Sequence, residues 1–287
     1  MDVRDLSGRW ALVTGAGSGI GRATALAFAA RGAHLALCDI NEEGLGETLA
    51  QLPRNGAQAL HMRLDVASAD AVASFADQVH QQTPAVDILM NNAGIGIGAR
   101  MLETPLAEWE RIVSINLMGV VHGCQSFVPQ MVERGRGGHV VNVASVAGYA
   151  ATQLLAAYSA TKFAVLGLSE ALREEVAPSG VGVTALCPGL INTPITRNSQ
   201  MFGVADTRAS RDQLIKGYER RGYGPERVAE GVLKAIQRNR AVAPISPEAW
   251  FLYWLKRFAP NATRWLSARA SARQLAEMER ARKAEIA

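Results

Sequence analysis

The segment Tyr158-Ser-Ala-Thr-Lys162 sets a phenol and an ammonium four residues apart. Its surroundings, from Thr152 to about Val176, are rich in Ala and Leu and hold no Gly/Pro cluster, so the stretch reads as a helix. On a helix, positions four apart share a face, with Cβ atoms about 5–6 Å from one another. A free tyrosine ionises near pH ~10 and is a poor base at neutrality. A neighbouring cation favours the phenolate and suits the group to proton transfer. Such a pair also occurs on ordinary surface helices, so its meaning depends on what else the chain supplies.

The first supply is a glycine turn. The apolar run Arg9-Trp-Ala-Leu-Val-Thr14 leads into Gly15-Ala-Gly-Ser18-Gly19-Ile20-Gly21, and an alanine-rich helix pattern from Arg22 to Arg31 follows, closed by Gly32. In a strand–turn–helix context these glycines let the backbone approach a pyrophosphate, and the helix start presents its N–H groups to the anion. The next strand, Ala33 to Asp39, ends on a carboxylate about twenty residues after the turn. Such a group can accept the ribose hydroxyls of NAD and repels a 2′-phosphate. Ser18, Ile40 and Asn41 offer no arginine that would welcome that phosphate, so NAD is expected over NADP.

These pieces need a frame. Further strands are expected over Ala59–Val66, Val86–Met90, His139–Ser145 and Val181–Cys187, with helices over about 41–52, 68–82, 106–133 and 152–176. Alternation of strands with helices of that length predicts right-handed crossovers and a parallel sheet covered on both faces. Ligands of such sheets bind outside the carboxyl ends of the strands. Gly15, Asp39, Asp65, Asn92, Ser145 and Pro188 all fall there.

Composition narrows the class. At 287 residues and 48% apolar content the chain can bury a full core as one large α/β domain. It carries no leader pattern and no uninterrupted apolar run of membrane-spanning length, so a cytoplasmic protein is expected. Cys38, Cys124 and Cys187 lie far apart in apolar context and read as reduced, buried side chains. The five histidines show no metal-ligand spacing, and no metal is expected. The net charge of +4 resides in the tail: residues 245–287 hold eight Lys/Arg against four Glu, leaving 22 against 22 elsewhere. A body without a basic stripe argues against nucleic-acid binding.

Taken together, Thr14-Gly-Ala-Gly-Ser-Gly-Ile-Gly21, Asn91-Asn-Ala-Gly94, Asn116, Ser145, Tyr158-x-x-x-Lys162 and Pro188-Gly189 with Thr193 resemble the classical short-chain dehydrogenase/reductase family from about Asp5 to Ile245. The thirteen residues from Ser145 to Tyr158 fit that pattern. The resemblance implies a Rossmann-type, doubly wound sheet of about seven strands and hydride transfer between NAD(H) and an alcohol/carbonyl pair. It implies Tyr158 as general acid/base, Lys162 supporting the phenolate and the nicotinamide ribose, Ser145 holding the substrate oxygen and Asn116 positioning a water. It also implies Asp65 and Val66 at the adenine, Asn92, Ala93 and Gly94 at the inner ribose, and Ile191 and Thr193 at the carboxamide. Residues 194–223 fall where the family places its substrate lid, and a homo-oligomer, dimer or tetramer, is expected.

Residues 1–245 then form the nucleotide-binding and catalytic domain, and 246–287 a helical extension. In Pro247 to Phe258, Trp250, Phe251, Trp254, Leu255 and Phe258 share one helical face, and Pro260-Asn261 separates this helix from a second, basic amphipathic one reaching Ile286. Three uses are open to such a tail: packing on its own domain or a partner subunit, lying in a membrane interface, or covering a lipophilic pocket. The main expectation is an NAD-dependent dehydrogenase or reductase of a secondary alcohol/ketone, small or lipophilic. The alternative is a catalytically silent dinucleotide-binding regulator or membrane-surface scaffold acting through the tail. Epimerase or dehydratase chemistry on a sugar nucleotide is disfavoured by the compact chain and the glycine spacing.

Overall fold

Period-two patterning in the first strand decides the layering. In β1 (Trp10–Thr14), Trp10 and Leu12 enter one apolar cluster while Ala11 and Val13 enter another, so both faces of the sheet are buried. The computed structural model describes residues 1–286, and the side chains of all of them but 213, 274, 281 and 283–286; position 287, the end of the expected extension, lies outside the described residues.

After β1 the chain runs through α1 (Gly19–Ala29), β2 (His34–Asp39), α2 (Glu42–Ala50), β3 (Ala59–Arg63), α3 (Ala69–His80) and β4 (Ile88–Asn91). It continues with α4 (Leu106–Val113), a π-helical turn at Ser114–Met118, α5 (Gly119–Arg134), β5 (Gly138–Val143), α6 (Ala156–Val176) and β6 (Val181–Pro188). The last part holds α7 (Pro194–Asn198), α8 (Arg208–Arg221), α9 (Pro225–Gln237), β7 (Val242–Ile245), α10 (Pro247–Phe258) and α11 (Pro260–Ile286). Seven strands pair in parallel in the order β3-β2-β1-β4-β5-β6-β7. The sequence direction reverses between β1 and β4, which opens a crevice at their carboxyl ends.

One face of the sheet packs on Phe75 and Val79 of α3, Phe127 and Met131 of α5 and Val165 of α6. The other packs on Ala25 and Phe28 of α1 and Val228, Val232 and Ile236 of α9. The fold is thus α/β, Rossmann-type and doubly wound, as expected, with the C-terminal helices present. The seventh strand, only four residues long, was implied by the resemblance alone. Stretch 106–134 is long and apolar enough to cross a membrane, yet it covers the sheet through Val120, Phe127 and Met131, all buried.

The single helix expected over 106–133 is instead two, joined by the π turn in which Gly119 N–H donates to Ser114 C=O. π turns leave a local bulge and recur at functional sites. Asn116 sits inside this one.

Candidate active site

The glycine turn is built against the end of β4. Thr14 Oγ1 accepts from Asn92 N at 2.9 Å and Ala93 N at 3.0 Å, and Asn92 Nδ2 donates to Thr14 O and Gly15 O. Gly15 has φ +65°, and a Cβ on it would stand 2.8 Å from Ala93 Cα; one on Gly21 would stand 2.0 Å from Gly15 O. Only glycine fits either place. Ser18 is the N-cap of α1 but caps no amide with its side chain, and the first turn bears no acid. The amides of that helix start therefore keep their capacity for an anion. This cradle fits a pyrophosphate.

Asp39 closes the far side. Its Oδ2 accepts from Gly17 N at 2.7 Å and its Oδ1 from Asn41 N at 2.8 Å, which leaves each oxygen a further lone pair. The neighbouring Arg22 is engaged with Gly17 O, Gly44 O, Thr48 Oγ1 and Glu47, so its cation is already neutralised. Asp65 lies exposed beyond β3 and accepts from Ala67 N. Val66 is buried against Gly119, where a Cβ would meet it at 2.7 Å.

At the other end of the crevice β6 stops at Pro188, and Gly189 N donates to Ile245 O at 3.1 Å. Ile191 is buried in the core and Thr193 is buried beside Gly19, whose Cβ would lie 3.3 Å from Thr193 Cβ. The first and last sequence motifs, 174 residues apart from Gly19 to Thr193, thus form one wall.

Tyr158 and Lys162 stand on α6, where the ammonium lies 5.7 Å from the phenol ring centroid. Lys162 is buried and its Nζ donates to Val143 O, the end of β5, at 2.8 Å. Ser145 follows β5 directly, its Oγ accepting from Ala147 N at 3.1 Å. Burial pushes the Tyr158 phenol up to about 12, opposed by a hydrogen bond with Ser145, and pulls Lys162 down to about 8. The expected lowering of the phenol is not seen, because burial penalises the charged forms of both groups and is the largest influence on each.

Asn116 is fully buried. Its Oδ1 accepts from Ile95 N at 2.8 Å, and its Nδ2 donates to Ile95 O at 2.9 Å and to Thr161 Oγ1 at 3.3 Å. Both amide hydrogens are used, so this side chain braces the loop after β4 against α6. A Cβ on Gly94 would lie 3.1 Å from Asn116 Oδ1 and 3.6 Å from Lys162 Nζ. Gly94, Asn116 and Lys162 therefore share one spot, while Asp39 and Asp65 lie toward the other side of the sheet, at the ends of β2 and β3.

The wall facing Tyr158 is apolar. Tyr158, Ile95, Trp109 and Phe202 pack around buried Ile97, Ala99, Ile112 and Ala157. Beside it, Leu154, Met201, Val204 and Ala205 pack with Met278 of α11, and Gln153 Nε2 donates to Ser271 O at 2.6 Å. The tail thus covers residues 201–205 with α11, while α10 seats on the domain through buried Ala249, whose carbonyl accepts from Tyr149 Oη at 2.7 Å. Of the expected aromatic stripe, Trp250 and Leu255 are half-buried and Phe251, Trp254 and Phe258 exposed.

Two contributors escaped the sequence reading. Thr14 had no role assigned, though a hydroxyl at the end of a buried strand signals a bond to the next strand. Glu248, in the first turn of α10, accepts from Leu190 N at 3.0 Å and pairs with Arg221; nothing in the sequence links it to position 190. Cys38, Cys124 and Cys187 are buried and unpaired. Among the described residues no group of three His, Cys, Asp or Glu side chains could hold a metal.

The short chain dehydrogenase family pattern matches residues 9–202. "Probable oxidoreductase EphD" of Mycobacterium tuberculosis (strain ATCC 25618 / H37Rv) is 43% identical over 256 residues, 88% of this chain and 43% of that protein. The chain therefore spans less than half the length of the first curated relatives it matches. Estradiol 17-beta-dehydrogenase 11 of Mus musculus is 37% identical over 198 residues, 68% of this chain and 66% of that protein. Among solved structures, a short chain dehydrogenase/reductase from Burkholderia phymatum in complex with NAD superposes with a TM-score of 0.80 at 32% identity, covering 88% of this chain and 94% of that one. Levodione reductase gives 0.75 at 32% identity, covering 84% and 97%. With its seven-stranded sheet and a family match over most of its length, this chain belongs to the short-chain dehydrogenase family.

Proposed function

We propose that the protein transfers hydride between NAD(H) and a secondary alcohol/ketone pair, with Tyr158 as general acid/base. The observation that carries this reading is the meeting of Tyr158, Lys162, Ser145 and Gly94 at the carboxyl ends of β4 and β5, beside the glycine cradle. NAD, when bound, accepts or supplies the hydride. Gly15, Ser18, Gly19, Ile20 and Gly21 hold its pyrophosphate, Asp39 its adenosine ribose, and Asp65 and Val66 flank the adenine. Asn92, Ala93 and Gly94 support the inner ribose with Lys162, and Pro188, Gly189, Ile191 and Thr193 form the carboxamide side.

In alcohol oxidation Tyr158 would take the hydroxyl proton, and in reduction the same phenol would return a proton to the carbonyl oxygen. Ser145 holds that oxygen. Asn116 acts as a positioning residue, fixing Ile95 beside Tyr158. The apolar wall of Ile95, Phe202, Met201 and Leu154 suits a lipophilic substrate, and the names of the two relatives that state an alcohol or ketone oxidoreductase point the same way.

Residues 1–245 make up the catalytic body, and 246–287 an extension, helical over its described residues in α10 and α11, that completes the lid. A silent regulator or scaffold is the weaker reading, since a binder has no use for Tyr158 and Lys162 together. Following NADH absorbance over secondary alcohols of graded chain length and ring size tests the proposal: Tyr158→Phe should remove nearly all turnover and keep NADH binding, and unchanged turnover refutes the assignment.

A further inference from the structure

α10 presents to solvent the side chains that a self-contained domain buries. Phe251 is 61% exposed, Trp254 47% and Phe258 77%, and their spacing of three and four places them on one helical face. Trp254 is flanked by Trp250, with ring centroids 6.4 Å apart, and by Phe258 at 5.5 Å, both stacked. Contiguous exposed apolar groups of this size mark an interaction surface.

The inner end of this ladder opens on a groove of about 420 Å³ between α9, β7 and the start of α10. Arg227, Lys234, Arg238 and Arg240 line it against the single carboxylate of Glu230, and the Arg240 guanidinium lies over the Trp250 ring at 5.2 Å. From Trp250 to Ala276 the chain carries five Lys/Arg and no Asp or Glu. Cations beside exposed Trp and Phe are the makeup of a surface that meets lipid headgroups and the acyl boundary together. The charge also selects the occupant. A second copy docking face to face would set the same cations against each other, and stacking within the ladder already occupies rings that a nucleic-acid base would need.

We propose that α10 and the adjoining groove form a docking surface for an anionic lipid bilayer. Phe251, Trp254 and Phe258 enter the interfacial layer, and Lys234, Arg238 and Arg240 receive lipid phosphates. The full chain, co-sedimented with phosphatidylcholine vesicles with and without phosphatidylglycerol, should pellet with the anionic vesicles alone and should be released as ionic strength rises. Phe251→Ser/Trp254→Ser/Phe258→Ser and, separately, Lys234→Glu/Arg238→Glu change only exposed side chains, so thermal melting should stay near wild type while vesicle partitioning falls about tenfold or more in each. No binding of the wild type to anionic vesicles overturns the proposal, as does binding to neutral vesicles that the charge variant leaves intact. A triple aromatic variant that changes the oligomeric state of a wild type with no vesicle affinity overturns it in favour of a second copy.

Discussion

The ammonium of Lys162 stands 5.7 Å from the centre of the Tyr158 ring and donates to the Val143 carbonyl at 2.8 Å. The cation is thus anchored to the end of β5 beneath the phenol. Burial drives Tyr158 up to about 12 and Lys162 down to about 8, so the phenol is protonated at neutral pH and stands ready as an acid. Because its base form grows with pH while its acid form stays nearly full, alcohol oxidation should climb between about pH 6 and 10 while carbonyl reduction stays level. Profiles of kcat/KM in both directions check this, and an oxidation profile that is flat or falling contradicts it.

The same burial has a stability consequence. Lys162 in the folded chain binds its proton less tightly than its ordinary value of 10.5, so between about pH 8 and 10.5 the unfolded state holds more protons. Stability attributable to this group therefore rises with pH across that window and is lowest below it. In Lys162→Met that rise should be missing. Urea unfolding of both proteins at about pH 7.5 and pH 10 measures the difference, and equal pH slopes would dismiss the buried cation.

In the proposed reading Asp39 serves two purposes at once, since the carboxylate assigned to the cofactor ribose also accepts from Gly17 N and Asn41 N. Asp39→Ala should lower the NAD-over-NADP ratio in kcat/KM by about tenfold or more and slacken the glycine turn. Asp39→Asn keeps acceptor oxygen at one position, so it should relax the cofactor preference with less harm to the turn. An unaltered ratio in both variants would remove Asp39 from the specificity argument.

The turn itself allows a sharper test. A Cβ on Gly21 would stand 2.0 Å from Gly15 O, a backbone atom that cannot rotate away. Gly21→Ala should cost about 1–3 kcal/mol of stability and abolish NADH binding measured by fluorescence. A Gly46→Ala control, where nothing lies within 4 Å, should keep both.

Much of this arrangement was legible in the sequence because it rests on local rules. The strands that carry the site are continuous apolar runs, the glycines sit where a side chain has no room, and Tyr158 and Lys162 share a face through helical periodicity alone. What stayed hidden depends on contacts remote in sequence or on small backbone shifts. The π turn at Ser114–Met118 changes no residue pattern, since i→i+5 bonding over five residues merely interrupts the helical run. The occupation of Asn116 by Ile95 and the reach of Glu248 to Leu190 needed the third dimension. The phenol's ionisation was misjudged in direction because helical spacing reports a neighbouring charge but not the loss of water around it.

The placement of α11 bears on substrate choice. Among the described residues of α11, Thr263, Ser271 and Met278 are buried, spaced by about two helical turns along one face. At the last of these, Met278 meets Leu154, Met201 and Val204, next to the apolar wall that carries Tyr158. Replacing this flexible thioether by a smaller side chain opens space on the lid without touching the groups proposed for proton transfer. Met278→Ala should therefore raise kcat/KM for bulky secondary alcohols relative to short ones by about 10-fold, with KM for NAD unchanged. A shift in KM for NAD, or a uniform loss across alcohols of all sizes, would mean that α11 supports the fold and leaves selectivity to the residues beneath it.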